Sequence, residues 1–130
     1  MEYRVHNSLK MKIRIKGNSI RLRLTKSEVA AFCDKGQYQE AVIFGNRTLT
    51  YSLVAKEGIE MLDATYVGDT IIVYITKDAK DTWLESDRVG YSNVLDSNSP
   101  DQLSILVEKD FICMDDSIED QSDNYPNPKL

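Results

Sequence analysis

An internal repeat is the feature that most constrains how this chain folds. A shift of 51 residues places the segment 17–26 on the segment 68–77, with Gly, Ile, Thr and Lys matched outright and Phe32 placed on Trp83. Farther along, after a loop three residues longer in the second copy, the alternating apolar residues of 49–53 fall on those of 103–107. Self-similarity at a fixed spacing is typical of duplicated architectures. The match runs through a hairpin, a helix start and a later strand, which favours duplication over a chance likeness of two hairpins.

Each copy has the pattern strand, strand, helix, strand, strand. Apolar residues alternate with basic ones over 11–16 and 20–24, the period of two expected of half-buried strands. Turn signals of the Gly-Asn or Gly-Asp type stand at Gly17, Gly45 and Gly68. Strands 38–44 and 48–54 are predicted to pair, as are strands 89–94 and 103–107. The predicted fold class is therefore α+β, with two ββαββ repeats whose eight mostly antiparallel strands form either a closed barrel or two sheets.

The predicted helices begin at two threonines. Thr25 and Glu28 form a capping-box pattern that opens a helix over roughly 26–34, with Val29 and Phe32 facing inward. In the second copy Thr76 is the cap, without the glutamate, and Trp83 and Leu84 are predicted to fill the inward face.

The chain divides into three parts. Residues 1–10 are a leader or an extra strand, residues 11–113 are a single duplicated domain with halves 11–56 and 62–110, and residues 114–130 are an acidic tail. With 42% hydrophobic and 28% charged residues, the composition is that of an ordinary folded protein. No apolar run approaches the ~20 residues of a membrane helix, and no signal core precedes the domain. We therefore expect a cytoplasmic protein of bacterial type with no membrane partner.

Charge is unevenly distributed along the chain. Residues 1–26 carry eight bases and one acid, whereas residues 110–130 carry one base and six acids. Five of the bases share one side of the first predicted hairpin, here called the basic hairpin: Lys12, Arg14, Lys16, Arg21 and Arg23. Such a face predicts a site for an anion, such as phosphate, a nucleotide, polyphosphate or a nucleic-acid backbone. The alternative is a solvated surface neutralised by Glu40, Asp63 and the acidic tail.

Nucleic acid is the less favoured anion, although the sequence leaves it open. Stacking on bases requires exposed aromatic side chains beside the basic ones, and only Tyr74 meets that requirement. The net charge of −5 also argues against general nucleic-acid binding.

The acidic tail permits three interpretations. Its acidic residues and its aromatic residue are Asp115, Asp116, Glu119, Asp120, Asp123 and Tyr125. A calcium loop is disfavoured because the alternating spacing and the glycine are missing. A disordered solubility tail is the plain alternative. We favour a tail that docks along the basic hairpin, with Tyr125 as an apolar anchor, and competes there with other anions.

No catalytic residue, cofactor or metal site is predicted. Cys33 lies on the apolar face of a helix and Cys113 in an apolar run, where a buried thiol is the usual outcome. The single histidine, His6, lies in the leader, so no Cys-His or Ser-His-Asp arrangement follows. Enzymatic activity is left open, and a non-enzymatic protein is favoured.

Several segments resemble a known family. They are the opening run over 11–25, the segments 48–51, 87–90 and 107–113, and the terminal pattern of acids followed by Tyr125-Pro-Asn-Pro128. The chain is similar over about 11–128 to a small uncharacterised bacterial family of Bacteroidetes type. The resemblance implies a single cytoplasmic domain with no assigned reaction.

A second resemblance concerns the fold alone. Eight strands from two halves with a basic face are similar to the tunnel barrels of the CYTH triphosphatases. That family holds metal and phosphate with a Glu-x-Glu-x-Lys strand, whereas the strand here is Lys12-Ile-Arg14-Ile-Lys16. Without those carboxylates, metal-dependent triphosphate hydrolysis ranks last.

Three functions follow from the sequence. The first is a non-enzymatic module whose basic hairpin binds a phosphate-bearing or other anionic ligand, or its own tail. The second is a structural or protein-interaction module, for instance a homodimer through an edge strand. The third is a tunnel-type phosphohydrolase.

Overall fold

The computed structural model describes residues 11–111 and 123–126. The strands in this part of the chain are β1 (Lys12–Ile15), β2 (Ser19–Leu24), β3 (Gln37–Ile43), β4 (Thr48–Lys56), β5 (Asp63–Val67), β6 (Thr70–Thr76), β7 (Gly90–Leu95) and β8 (Leu103–Lys109). The helices are α1 (Lys26–Lys35) and α2 (Lys77–Thr82), and a 3-10 turn (Trp83–Glu85) extends α2. The predicted order of elements and the α+β class are confirmed.

The eight strands form two four-stranded sheets and not a closed barrel. The first sheet has the order β1-β2-β8-β7 and the second the order β3-β4-β6-β5. In each sheet the outer pairs are antiparallel hairpins, while the central pair, β2 with β8 or β4 with β6, is parallel. Each sheet therefore combines one hairpin from the first half of the chain with one from the second.

The registers of the two central pairs correspond, which is consistent with duplication. Ser19 lies opposite Ser104 in the first sheet, and their counterparts Thr70 and Thr50 lie opposite each other in the second. The hydrogen bonds that begin the two ladders also correspond. The amide of Ser104 donates to the carbonyl of Asn18 at 3.1 Å, and the amide of Thr50 donates to that of Asp69 at 2.9 Å.

The helix starts follow the predicted chemistry. In α1 the capping box is present, and the carboxylate of Glu28 accepts from the amide of Thr25 at 2.8 Å. In α2 the hydroxyl of Thr76 accepts from the amide of Ala79 at 3.1 Å. Helix α1 ends at Gly36, whose φ of 81° is the left-handed conformation that glycine adopts most easily.

One hydrophobic cluster joins both sheets and both helices. Its fully buried members include Leu22 and Val107 of the first sheet, Leu53 and Val73 of the second, and Trp83. The predicted burial of Val29, Phe32 and Trp83 is confirmed. The predicted burial of Leu84 is wrong, because this residue is 42% exposed. Residues 83–85 form a 3-10 turn in which Trp83 is the buried residue, and Leu84, one residue later, lies about 120° farther around the turn.

Gly90, at the start of β7, lies too close to β8 to carry a side chain. A Cβ placed there would clash with the carbonyl oxygen of Val107 and lie 2.9 Å from the Cα of Glu108. Since both neighbours are backbone atoms of a paired strand, they can yield only if the hairpin shifts.

We expect Gly90→Ala to lower the free energy of unfolding by about 1–3 kcal/mol, the usual range for overpacking. Denaturant titration measures the change, with Ser92→Ala on the exposed side of the same strand as control, for which a change within about 0.5 kcal/mol is expected. Equal stabilities of the two variants would contradict the close approach.

Candidate anion-binding site

The outer face of the first sheet carries the basic hairpin. In the antiparallel pair β1–β2, Arg14 lies opposite Arg21 and Lys12 lies opposite Arg23. On β2, Leu22 lies between Arg21 and Arg23, and Leu24 follows Arg23. Both leucines are buried in the core. Because side chains alternate along a strand, the four basic side chains project from the opposite, outer face. The structure thus brings Lys12, Arg14, Arg21 and Arg23 to one face, and Lys16 directly follows β1.

A cavity of about 600 Å³ lies on this face. Its basic lining residues are Arg14, Lys16 and Arg21, its hydroxyl-bearing ones are Ser19, Ser92 and Ser104, and the others are Ile20, Asn93, Val94, Ile105 and Leu106. None of these eleven residues is acidic. We call this cavity the basic groove.

Two carboxylates neutralise the far end of the basic hairpin. Oε2 of Glu108, on β8, lies 2.9 Å from Nε of Arg21 and 3.1 Å from Nε of Arg23. Nζ of Lys12 lies 3.1 Å from Oδ2 of Asp110. Glu108 thus balances only one of the two guanidinium groups that it meets, which leaves a surplus of positive charge beside the groove.

Sequence reasoning named neither Glu108 nor Asp110. Glu108 stands beside the basic hairpin because β8 pairs with β2 in parallel, with Glu108 opposite Arg23. Strands that are far apart in the chain pair without leaving a local sequence pattern. The sequence therefore showed only that residue 108 is acidic, not that it lies beside the basic hairpin. Glu40 and Asp63 were the carboxylates expected to neutralise the basic hairpin. Glu40 accepts a hydrogen bond from the amide of Met11 at 3.0 Å, and Asp63 accepts one from the amide of Ala64 at 2.8 Å.

Arg14 and Lys16 form the uncompensated end of the groove. Both are exposed, and neither meets a carboxylate within the part of the chain that the structure describes. An exposed base in water needs no counter-ion, but two such bases beside Arg21 produce a local positive potential that attracts anions.

The second sheet shows that the fold does not need these charges. A shift of 51 residues places the five basic positions on Asp63, Thr65, Val67, Ile72 and Tyr74. That sheet has the same topology and central register with no base at any of these positions. Strand pairing in this topology therefore does not require the charges of the basic hairpin.

The described part of the tail contacts α1 and the end of β8. Oδ1 of Asp123 accepts hydrogen bonds from the amide of Ser27 at 3.2 Å and its hydroxyl at 3.0 Å, and the carbonyl of Asp123 accepts from the amide of Lys26 at 3.0 Å. Asp123 thus satisfies amides at the start of the helix.

Tyr125 anchors the same segment. Its amide donates to the carbonyl of Asp110 at 2.8 Å, its ring lies 5.8 Å from that of Phe111, and Nζ of Lys109 lies 4.9 Å from its centre. Asp115, Asp116, Glu119 and Asp120 lie outside the described residues, as do His6 and Cys113.

Beside Asp123 lies a carboxyl group with an unusual environment. The side chain of Glu28 is buried, and burial is the main reason that its pKa rises to about 7, with Glu40 and Asp123 adding repulsion and the bonds from Thr25 opposing the rise. Oε2 of Glu28 has no hydrogen-bond partner among the described residues. Burial, with the charges of Glu28 and Glu40, also raises the pKa of Tyr38 to about 12.

Two further side chains of the described residues, those of Cys33 and Lys109, are held in a less reactive or a paired form. Burial raises the pKa of the Cys33 thiol, which disfavours the nucleophilic thiolate. Burial also lowers the pKa of Lys109, whose ammonium donates to the carbonyl of Ser86 at 2.7 Å. Within residues 11–111 and 123–126, no three His, Cys, Asp or Glu side chains are grouped closely enough to hold a metal ion. No described helix is long and apolar enough to cross a membrane.

We expect Glu28 to make stability depend on pH. Because the folded pKa of about 7 exceeds the ordinary value of 4.5, the contribution is full below pH 4.5 and is lost as the pH rises through 7. Glu28→Gln keeps an acceptor for the amide of Thr25 and cannot ionise, so the variant should gain about 3 kcal/mol relative to the parent between about pH 4 and pH 8. Denaturant titrations across this range measure the difference.

Glu85→Gln, at an exposed position, removes the same charge and is the control. An unchanged difference between Glu28→Gln and the parent from pH 4 to pH 8 would contradict the assignment.

Comparisons with known proteins returned one match. Neither a search of curated proteins nor a search of solved structures found a match. A family model, described as a family of unknown function and designated DUF7009, covers residues 11–129. This confirms the resemblance to an uncharacterised family. The chain is a member of the DUF7009 family.

Proposed function

We propose that this protein is a non-enzymatic binding module whose basic groove holds an anionic ligand. The observation that carries the proposal is the cavity of about 600 Å³ whose lining includes Arg14, Lys16 and Arg21 and no acidic residue. A cavity of this size accommodates a small molecule or part of a longer polyanion. The absence of these charges from the duplicate sheet supports a role in binding rather than in folding.

The lining favours a phosphate-bearing ligand. Guanidinium groups bind phosphate with two parallel hydrogen bonds, and Arg14 and Arg21 stand opposite each other across β1 and β2. The hydroxyls of Ser19, Ser92 and Ser104 supply neutral donors and acceptors for the rest of such a ligand. Because none of the lining residues is aromatic, single-stranded nucleic acid is the less favoured anion. A cytoplasmic, bacterial setting remains part of the proposal.

A protein-interaction module is the second candidate. Large apolar side chains are exposed at one end of the second sheet: Ile43 (76%), Phe44 (65%), Tyr66 (71%) and Val67 (71%). The turns that carry them are joined by the ion pair of Arg47 with Asp69. Exposed apolar side chains grouped in this way are typical of interaction surfaces. Mass that rises with concentration in ultracentrifugation would favour this candidate as a homodimer.

A tunnel-type phosphohydrolase ranks third. Two open sheets do not enclose a tunnel. Phosphate release from triphosphate with magnesium or manganese would reverse this ranking.

We expect Arg14→Glu combined with Arg21→Glu to abolish binding of a labelled anion panel of polyphosphate, nucleotides and a short RNA. The parent should bind at least one of these anions more tightly at low than at moderate salt, because screening weakens exposed charges. Fluorescence anisotropy measures binding, and circular dichroism checks that the variant is folded.

Lys35→Glu combined with Lys77→Glu is the matched control, since both lysines are exposed on helices and the change in net charge is the same. If this control lost affinity as strongly as the groove variant, binding would depend on net charge and not on the groove. Failure of the parent to bind any member of the panel would contradict the proposal.

We also propose that four acidic residues of the tail, Asp115, Asp116, Glu119 and Asp120, compete with anionic ligands for the basic groove. Replacing Asp115, Asp116, Glu119 and Asp120 with their amides should then tighten anion binding by several-fold at low salt, since a tethered competitor is removed. Asp123 and Tyr125 are left intact so that the docked segment is unchanged. Equal affinities of this variant and the parent at low salt would exclude the competition.

A further inference from the structure

The positive charge of the basic groove lies along one side only. Its three bases stand on β1, on β2 and directly after β1, whereas the strands of the other side, β8 and β7, contribute no charged residue to the lining. The outward-facing lining residues of β7 and β8 are Ser92, Val94, Ser104 and Leu106. We call these four residues the neutral side of the groove.

The two sides are joined by rows of side chains that run across the sheet. Arg14 lies opposite Arg21, which lies opposite Leu106. Leu106 in turn lies opposite Ser92. The next outward-facing row on these strands contains only neutral side chains: Ser19, Ser104 and Val94. Since neighbouring strands lie about 4.8 Å apart, a molecule bound along the first row passes from two guanidinium groups to a hydroxyl within about 10 Å.

The hydroxyls of the neutral side are available to a ligand. Ser92 and Ser104 are exposed, and neither side chain makes a hydrogen bond with any residue that the structure describes. They lie diagonally to each other on neighbouring strands, because Ser92 is opposite Leu106 and Ser104 is opposite Val94. Two hydroxyls on one diagonal and two apolar side chains on the other suit a molecule that carries both hydroxyl groups and C–H surface.

Carboxylates stand beyond both ends of the neutral side. Glu108 follows Leu106 by two residues on β8 and therefore faces the same way. At the other end, Asp96 comes directly after β7 and Asp101 stands two residues before β8. A chain of phosphates that continued from the bases over β8 and β7 would approach these negative charges, whereas a neutral group would not.

We propose that the ligand of the basic groove is the phosphate monoester of a sugar or a similar neutral polyol, an inference that rests on the anion binding proposed above. The single phosphate binds the guanidinium groups of Arg14 and Arg21. The sugar lies on the neutral side, where its hydroxyls bond to Ser92 and Ser104 and its C–H groups contact Leu106. Polyphosphate and nucleic-acid backbones carry charge along their whole length and lack this division into a charged and a neutral part.

The test is an NMR titration of the full chain with inorganic phosphate, glucose 6-phosphate and tripolyphosphate at moderate salt. Glucose 6-phosphate should bind about tenfold more tightly than inorganic phosphate, the size expected of two neutral hydrogen bonds. Inorganic phosphate should shift the amide signals of Arg14 and Arg21, and glucose 6-phosphate should in addition shift those of Ser92 and Ser104. Tripolyphosphate should bind no more tightly than glucose 6-phosphate.

Ser92→Ala combined with Ser104→Ala should remove the preference, so that glucose 6-phosphate and inorganic phosphate bind with about equal affinity. The control is Thr65→Ala combined with Ser97→Ala, which removes two exposed hydroxyls outside the groove and should keep the tenfold preference. All four positions are exposed, and circular dichroism checks that both variants are folded.

The outcomes separate this inference from the proposal on which it rests. If none of the three probes binds, even at low salt, the anion site itself is contradicted. If inorganic phosphate binds at Arg14 and Arg21 but glucose 6-phosphate is not preferred, the anion site stands and the sugar phosphate is overturned. Tighter binding of tripolyphosphate than of glucose 6-phosphate, or an unchanged preference in the double serine variant, would overturn the sugar phosphate in the same way.

Discussion

The parallel pairing of strands from different halves is the interaction on which this structure depends. Hairpin β1–β2 is completed by β8, and hairpin β5–β6 is completed by β4, so neither half can finish a sheet alone. Parallel strands need long connections, and ordering those connections costs entropy before any contact forms. The two halves therefore have to fold together, and among the described residues one hydrophobic cluster spans both sheets as the physical result.

Because the two sheets share one topology, a comparison of their sequences shows which side chains the fold requires and which it does not. The inward positions keep their character, as Leu22 and Val73 or Phe32 and Trp83 show. The outward positions have diverged: bases on β1 and β2 stand where the second sheet has hydroxyl, apolar and acidic side chains. Inward packing stabilises both sheets alike, so the side chains of the outer face can differ between the sheets without loss of the fold. The duplicate thereby acts as an internal control that a single-copy fold does not provide.

Much of the fold could be predicted from the sequence because its signals are local. The alternation of apolar and polar residues predicted the strands, and the turns were predicted from Gly17, Gly45 and Gly68. The start of α1 was predicted from Thr25 and Glu28. Each of these features involves residues close together in the chain. Two sheets rather than a barrel, and Glu108 as the counter-ion of Arg21 and Arg23, depend on which distant strands pair. Such pairing is decided by the packing of the whole chain. The grouping of the basic hairpin was local and predictable, whereas its partial neutralisation was not.

The two helix starts differ in how their first amides are satisfied. Helix α1 has Ser27 in its first turn and accepts Asp123 from the end of the chain, beside the buried carboxyl of Glu28. Helix α2 has Asp78 at the same position, and the hydroxyl of Thr76 satisfies one of its amides. A carboxylate in the first turn already complements the positive end of a helix, so α2 has no use for a second one. The strand ladders end differently as well. In the first sheet the ladder of β2 and β8 stops at Leu24 and Lys109, and the amide of Lys26 donates instead to the carbonyl of Asp123. In the second sheet the ladder of β4 and β6 continues to Lys56 and Thr76, so the chain itself completes the equivalent place.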